Sequence, residues 1–314
     1  MVKSFFFIFK TARPRQWLKN LAVFAPIIFT GQLFNPFLFL TTVLAFFIFC
    51  AASSATYLFN DVFDAAADRK HPLKKNRPVA SGNLSSRVAL TTAALLVFFS
   101  LIAAANITSG FFFIILVFLI LQFSYSLFLK KMAVIDILTI TLAYILRVYG
   151  GELATGFHIS IWLFLTVLSV SLFLAIGKRR AELTLLEGYE GAVPHETRVA
   201  LSQYSEHLLD TYISMTAAST WITYAFYTFL ERPQVLGWIS QTKWARFSTP
   251  LPERKWLMLT IPLVLFGIMR YMQLIYEEKE GESPERVLTG DLPLMLTVGI
   301  WGVMVVLIIY GLGG

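Results

Sequence analysis

The chain has 314 residues, 57% of them hydrophobic and only 14% charged, with a formal net charge of +7. A soluble domain of this size carries roughly a quarter charged residues, so the composition excludes a water-soluble globular protein and points to a polytopic membrane protein. The single cysteine, Cys50, lies inside an apolar run and excludes an intrachain disulfide; nucleic acid is not expected among the partners.

Nine apolar segments approach or reach the roughly 20 residues that a bilayer-spanning helix needs. They are 21–34, 37–59, 88–106, 110–129, 133–153, 159–177, 208–230, 256–275 and 292–312. The fold class expected is therefore all-α, one membrane bundle of about nine transmembrane helices with no soluble domain between them. Ahead of the first span, "MVKSFFFIFKTARPRQW" lacks the small-residue cleavage site of a signal peptide. Residues 1–20 read instead as an interfacial segment, Phe-rich on one side and cationic on the other. Attraction to anionic lipid accounts for Arg13 and Arg15. Lys19 and Asn20, at the mouth of the bundle, are candidate substrate contacts. The first span is short and interrupted by Pro26 and Gly31.

The second span leads into "YLFNDVFDAAADRKHPLKKNRPVASG", which holds three of the six aspartates within eight residues. On a continuing helix Asn60, Asp64 and Asp68 are spaced i, i+4, i+8 and share a face, with Asp61 at its edge. Carboxylates this close raise one another's pKa unless a cation sits among them. One reading is a solvated helix end neutralised by Arg69 and Lys70. The other is a hard divalent ion, Mg²⁺, bound by Asp61, Asp64 and Asp68 and shared with phosphate oxygens of a substrate. Position favours the second, because the carboxylates fall where a membrane helix meets water, behind the small residues "AASSAT" that allow close packing. Lys74 and Arg77 follow as candidate phosphate contacts.

Further along, "YSLFLKKMAVID" places Tyr125, Lys130 and Asp136 around the next turn on the same side. Snorkelling to the interface explains Lys131. Asp136 and Arg147 lie within a span, where an ionised side chain is costly and points to function. Eleven residues apart, they cannot pair directly. Arg147 is open to two readings, a structural partner of Glu152 or a helix carbonyl, and a contact to a lipid phosphate. Lys178, Arg179 and Glu182 open the connection after the sixth span, where an i, i+4 pair of Lys178 with Glu182 is one explanation. The 231–255 connection holds Trp238, Trp244 and Phe247 and reads as an interfacial segment. The "NIT" at 106–108 is a chance match to a glycosylation site. Twenty of the 26 Lys and Arg residues fall in the N-terminal segment and in alternate connections. This places the N-terminus and those connections in the cytosol and the C-terminus outside a plasma (inner) membrane.

The stretch "NDVFDAAAD" fits the N-D-x-x-D-x-x-x-D signature of the UbiA superfamily of intramembrane prenyltransferases, which the chain resembles. The resemblance implies about nine helices, with the acidic residues holding Mg²⁺ against a diphosphate at the cytosolic face. Typical members carry a second aspartate motif after the sixth helix. Here the segment is "AIGKRRAEL", without aspartate, so the cradle has changed its ligand, and Lys and Arg bind phosphate directly. With "RPRQWLKNLAVFAP", "YSLFLKKMAVIDILTITLAYILRVYGGELATG" and "GESPERVLTGD", this departure resembles the decaprenyl-phosphate phosphoribosyltransferase branch. The likeness runs from about residue 13 to residue 312. That branch implies transfer of phosphoribose from phosphoribosyl pyrophosphate (PRPP) to a polyprenyl phosphate within the membrane lipid, with Lys130, Lys178 and Arg179 as phosphate contacts. The rival readings are an aromatic prenyltransferase and, more remotely, a transporter. The oligomeric state is left open.

Overall fold

The computed structural model describes residues 2–70, 74–187, 199–231, 255–276 and 284–312. Among the described residues the chain is helical and contains no strand. A helix, α1 (Val2–Ala12), opens the chain and leaves Phe5, Phe6 and Phe9 exposed. It packs along α2 (Pro36–Phe63). There follow α3 (Ser86–Ala105), α4 (Ser109–Leu127), α5 (Ile135–Thr155) and α6 (Ile161–Glu187). Beyond these lie α7 (Glu206–Leu230), α8 (Ile261–Tyr276) and α9 (Leu292–Val306). A 3₁₀ turn, Trp256–Thr260, leads into α8, and a wider π turn, Leu307–Leu312, prolongs α9.

Seven of the described helical segments are long and apolar enough to cross a membrane. The 25-residue α7 is long enough but more polar, and it packs along α6. The segment expected as the first span is not one helix. A 3₁₀ helix runs over Pro14–Phe24 and passes into a five-residue α-helix, Ala25–Phe29, closed by Gly31 at φ 74°. Such 3₁₀ runs rarely exceed three or four residues, so this one is held from outside. The Val23 carbonyl lies so close to Gly151 of α5 that a Cβ there would stand 2.0 Å from the oxygen.

The helix starts follow from local chemistry. Asn35 accepts hydrogen bonds from the Phe37 and Leu38 amides with Pro36 in the first turn, and Ser85, Thr108 and Ser205 cap α3, α4 and α7 in the same manner. Between lipid-facing helices apolar burial gives little drive to associate, so close contact of small residues does the packing. The buried Ala52, Ser53, Ser54 and Ala55 of α2 supply it, as the "AASSAT" run implies. One of the four apolar core clusters among the described residues is built on Phe49, edge-on to Phe111 and Phe118 at 5.8 and 5.3 Å and seated against Gly150.

Because α2 to α7 alternate in direction, the C-terminal ends of α2, α4 and α6 share one end of the bundle with the N-terminal ends of α3, α5 and α7. Arg13, just after α1, pairs with Asp61, and Lys130, just after α4, with Asp64, which ties both to α2, while Arg180 with Asp210 ties α6 to α7 at that end. The candidate site residues collect there.

Candidate active site

The acidic stretch keeps its helical hydrogen bonds from Asn60 through Asp68, with Asp64 as the C-cap of α2 and Asp68 in the short helix Ala65–Lys70. The face it forms differs from the stripe expected. Asp61 and Asp68, seven residues and two turns apart, are both buried and meet on Arg77, whose Nη1 lies 3.3 Å from Asp61 Oδ1 and 2.7 Å from Asp68 Oδ2. Asn60 and Asp64 form a second pair, with Asn60 Nδ2 donating to Asp64 Oδ2 at 2.9 Å. That pair faces Lys130, whose ammonium bonds Asp64 and donates to Asn60 Oδ1 at 3.2 Å. The three aspartates expected as metal ligands thus do not converge on one point.

Arg77 is delivered by a loop that folds as its own small core. Val79 and Leu84, each 3% exposed, bury between α2 and α3 beside Leu58 and Ala89. At this aqueous end burial is worth about 1.5–3 kcal/mol per side chain. Arg69 Nε holds the Ala80 carbonyl at 3.0 Å, Gly82 at φ 79° makes the turn, and the Leu84 amide returns to Pro78 O. Lys74, half-buried, opens the otherwise exposed turn Lys74–Asn76 just before, its carbonyl accepting from the Arg77 amide. Burial lifts the Asp68 carboxyl above the usual range; Arg77 opposes this, and Asp61 and Asp64 add to it.

A second group lies on α4, α5 and α6. Arg179 is wholly buried, its Nε 2.6 Å from Asp136 Oδ2, its Nη2 donating to the Tyr125 hydroxyl at 2.9 Å, and its Nη1 on Glu182. The contact with Asp136 is ionic, without the alignment of a hydrogen bond. Tyr204 donates to Asp136 Oδ1 at 2.7 Å and accepts from the Val134 amide at 2.6 Å. Burial, with that bond to Asp136, holds its phenol above the usual range. Arg179, expected to meet a phosphate, is enclosed by the chain's own acids and tyrosine. Glu182 pairs with Arg179 at i, i+3. Arg180 is likewise occupied, on Asp210 at 2.8 Å and Glu206 at 2.7 Å and stacked on Tyr276. Of the cationic trio, Lys178 is the half-exposed member.

A third group lies deeper. Asn20 is 0% exposed, so it is not at the mouth where the sequence suggested. Its Oδ1 accepts from Arg147 Nε at 2.6 Å and its Nδ2 reaches Cys50 Sγ at 3.2 Å. Arg147 also donates to the Ala143 carbonyl and lies 4.8 Å from the Phe118 ring centroid. Of its two structural readings, the helix carbonyl holds and the pairing with Glu152 does not. Glu152 instead meets His158 Nδ1 at 2.6 Å and the Ile159 amide. Lys19, next to Asn20, is half-exposed and bonds Gln16.

Sequence reasoning missed Arg13, Tyr204 and Arg180. Arg13 stood among cations that lipid attraction explains, and only its pairing with Asp61 sets it apart. Tyr204 follows a stretch with no motif.

The donor set suits a hard ion such as Mg²⁺, all carboxylate and amide oxygen at a helix end. Among the described residues no three His, Cys, Asp or Glu side chains gather for a metal. Asp61 and Asp68 do converge on one cationic nitrogen, and one or two carboxylates is the number Mg²⁺ commonly takes. The residues therefore fit the ion.

The model of the UbiA prenyltransferase family matches residues 21–287. A decaprenyl-phosphate phosphoribosyltransferase of Corynebacterium glutamicum is 31% identical over 305 residues, spanning 96% of this chain and 86% of its own. Its counterpart in Mycobacterium tuberculosis is 32% identical over 298 residues, 94% of this chain and 91% of its own. Among solved structures, a UbiA homolog from Archaeoglobus fulgidus bound to GPP and Mg²⁺ superposes with a TM-score of 0.70, covering 96% of this chain and 99% of its own, at 18% identity.

Proposed function

This chain belongs to the UbiA prenyltransferase family and is a multi-pass membrane transferase; we propose that it moves 5-phosphoribose from PRPP to a polyprenyl phosphate, releasing diphosphate. The observation that carries the reading is the pairing of one acidic helix end with an opposite segment that is cationic and has no aspartate. Asn60 to Asp68 keep the family's signature, whereas 177–182 holds Lys178, Arg179 and Arg180 and no aspartate. The names of the relatives that align over nearly the whole chain agree with it.

Bound between carboxylates and diphosphate, Mg²⁺ would supply charge neutralisation of the leaving group. The chain's own residues do the rest. Asp61 and Asp68 would hold the metal, and Asn60 with Asp64 fixes Lys130 next to it. Lys130, Arg77, Lys74 and Lys178 hold phosphate oxygens through charge-assisted bonds. An oxygen of the lipid phosphate attacks C1 of the ribose as the bond from C1 to the diphosphate breaks, with inversion. The phosphate is anionic and needs no base, so preorganised charge is the main catalytic contribution. Arg179 acts through Tyr125, Asp136 and Glu182, keeping the floor of the site rigid. Arg147 and Asn20 lie below, where the lipid headgroup enters. The same reading puts the site in the cytosol, the N-terminus inside a plasma membrane, and the product among precursors of cell-wall arabinan or a related glycolipid.

The test is incubation of purified protein in detergent with Mg²⁺, labelled PRPP and a polyprenyl phosphate, beside Asp64→Asn and an EDTA control. Label in the lipid phase that disappears in both controls supports the reading. Alkylation of an aromatic acid from a prenyl diphosphate, with no labelled lipid, returns the chain to the aromatic prenyltransferases.

A further inference from the structure

Arg13 occupies an unusual position. Its φ of 54° and ψ of 65° put a non-glycine residue in the left-handed region immediately before Pro14, where the following ring already restricts the backbone. Such a conformation persists where surrounding structure imposes it, and it recurs at functional sites. Here it sends the guanidinium across from the end of α1 to Asp61, over the Tyr57 ring at 5.1 Å. Asp61 is only 2% exposed at its side chain, whereas Arg13 remains 26% exposed. The pair therefore joins a closed carboxylate to a guanidinium that solvent, and hence a solute, can reach.

Asp61 has a second cation beside it when Arg13 turns away, because Arg77 is also on it and extends to Asp68. Across the group, Asp61, Asp64 and Asp68 face Arg13, Arg77 and Lys130, so the chain balances its own charge. A divalent ion taking Asp61 competes with Arg13 for the same oxygen. A diphosphate arriving with that ion offers Arg13 equivalent oxygens, and arginine binds phosphate as well as carboxylate.

We propose that Arg13 is a substrate-binding residue parked on Asp61, which turns to a phosphate of the incoming ion–diphosphate complex when the ion takes that carboxylate. This rests on the metal–diphosphate reading above. It follows that Arg13 opposes the ion alone and favours the ion with its diphosphate, so removing it moves the two affinities in opposite directions. A guanidinium that merely stabilised the fold would not do this, since loosening the site weakens both.

The test uses the full chain in detergent with Mn²⁺ as the probe ion, and then inorganic pyrophosphate with excess Mg²⁺, both read by calorimetry. Pyrophosphate is the group that PRPP and a prenyl diphosphate share, so the test is blind to which is the substrate. In Arg13→Gln, Mn²⁺ alone is expected to bind several-fold more tightly and Mg²⁺–pyrophosphate about tenfold more weakly than in wild type. Arg13→Lys, which keeps the charge and loses the fork, is expected to fall between, and it carries the test if the Gln variant fails to fold. Unchanged or weaker Mn²⁺ binding in the Arg13 variants, while Asp61→Asn abolishes it, overturns the role of Arg13 and leaves the metal site standing. If wild type binds neither probe, or Asp61→Asn binds Mn²⁺ as wild type does, the metal reading falls and the proposal with it.

Discussion

Arg179 stands with its Nε 2.6 Å from Asp136 Oδ2, and both side chains are sealed from solvent at 0% exposure. Two ions held out of water this completely are stable only together. Removing Asp136 leaves Arg179 in the interior with Glu182 in place of two acids, and breaking a buried pair of this kind costs about 3–5 kcal/mol. Asp136→Leu is therefore expected to lower the unfolding midpoint sharply. Asp136→Leu combined with Arg179→Met should recover part of the loss, because an apolar pair of similar volume has no ion to solvate, while Glu182 gives up its contact with Arg179. Thermal unfolding in detergent checks this. A double variant no better than the single would show that Arg179 draws its stability from Glu182 and Tyr125 instead.

Gly151 is where the 3₁₀ segment rests on α5. A Cβ there would meet the Val23 carbonyl carbon at 2.9 Å and its oxygen at 2.0 Å, and neither is the end of a flexible side chain. Backbone has to move, and overpacking of this kind costs about 1–3 kcal/mol or more. Gly151→Ala is expected to displace Pro14–Phe24, and with it Arg13 and Asn20, from their partners on α2 and α5. Transfer activity should fall more than stability. The comparison is Gly156→Ala, which meets nothing within 4 Å but has φ of +78°, and which should cost stability with little effect on activity.

The helices of this bundle were legible because apolar length sets a span and capping residues mark its start. The acidic end of α2 was legible because charge is rare in such a chain. The pairing was not. Asn60, Asp64 and Asp68 share a helix face in sequence, yet the structure couples Asp61 with Asp68 through Arg77, a residue nine positions further on in a loop. Periodicity shows which side chains share a face and says nothing of which loop returns to it. Arg179 shows the same gap. Next to Lys178 and Arg180 it looks like part of a solvated cationic patch, but Asp136, 43 positions earlier in the chain, comes from another helix to enclose it. The first span departs from a single helix for a different reason. The run 21–34 is apolar enough to cross, and contacts with residues remote in sequence, Val23 on Gly151 and the Tyr310 hydroxyl on the Ile27 and Ile28 carbonyls among them, hold it as a 3₁₀ helix and a short α-helix.

Arg77 links the two buried carboxylates, so its loss is expected to do more than either aspartate's. In Arg77→Gln, Asp61 keeps Arg13, while Asp68 loses its only ion-pair partner in the described structure. A buried carboxylate without a cation costs about 1–3 kcal/mol or more. Added Mg²⁺ should then raise the unfolding midpoint of this variant by more than it raises that of wild type, because the ion replaces a missing cation. Equal shifts in the two proteins would mean that the ion binds elsewhere.

At the start of α9, Asp291 accepts from the Leu294 amide at 2.8 Å and takes Arg270 through both oxygens, at 2.6 and 3.2 Å. Its hydrogen bonds to Arg270, with the Leu294 amide, hold the carboxyl below its usual range despite partial burial. The sign of the pH dependence follows. A depressed folded pKa gives stability that is fully present above the unfolded value of about 3.9 and is lost as pH falls through the folded one. Asparagine caps a helix about as well as aspartate, so Asp291→Asn removes the charge and keeps the cap. It is expected to cost about 1 kcal/mol near neutral pH. The difference from wild type should stay constant from pH 8 down to about 4 and close only below that. Asp291→Ala loses the cap as well, about 1 kcal/mol more, and retains that part of its deficit in acid. A wild-type advantage over Asp291→Asn that vanished already near pH 6 would assign the titration to another group.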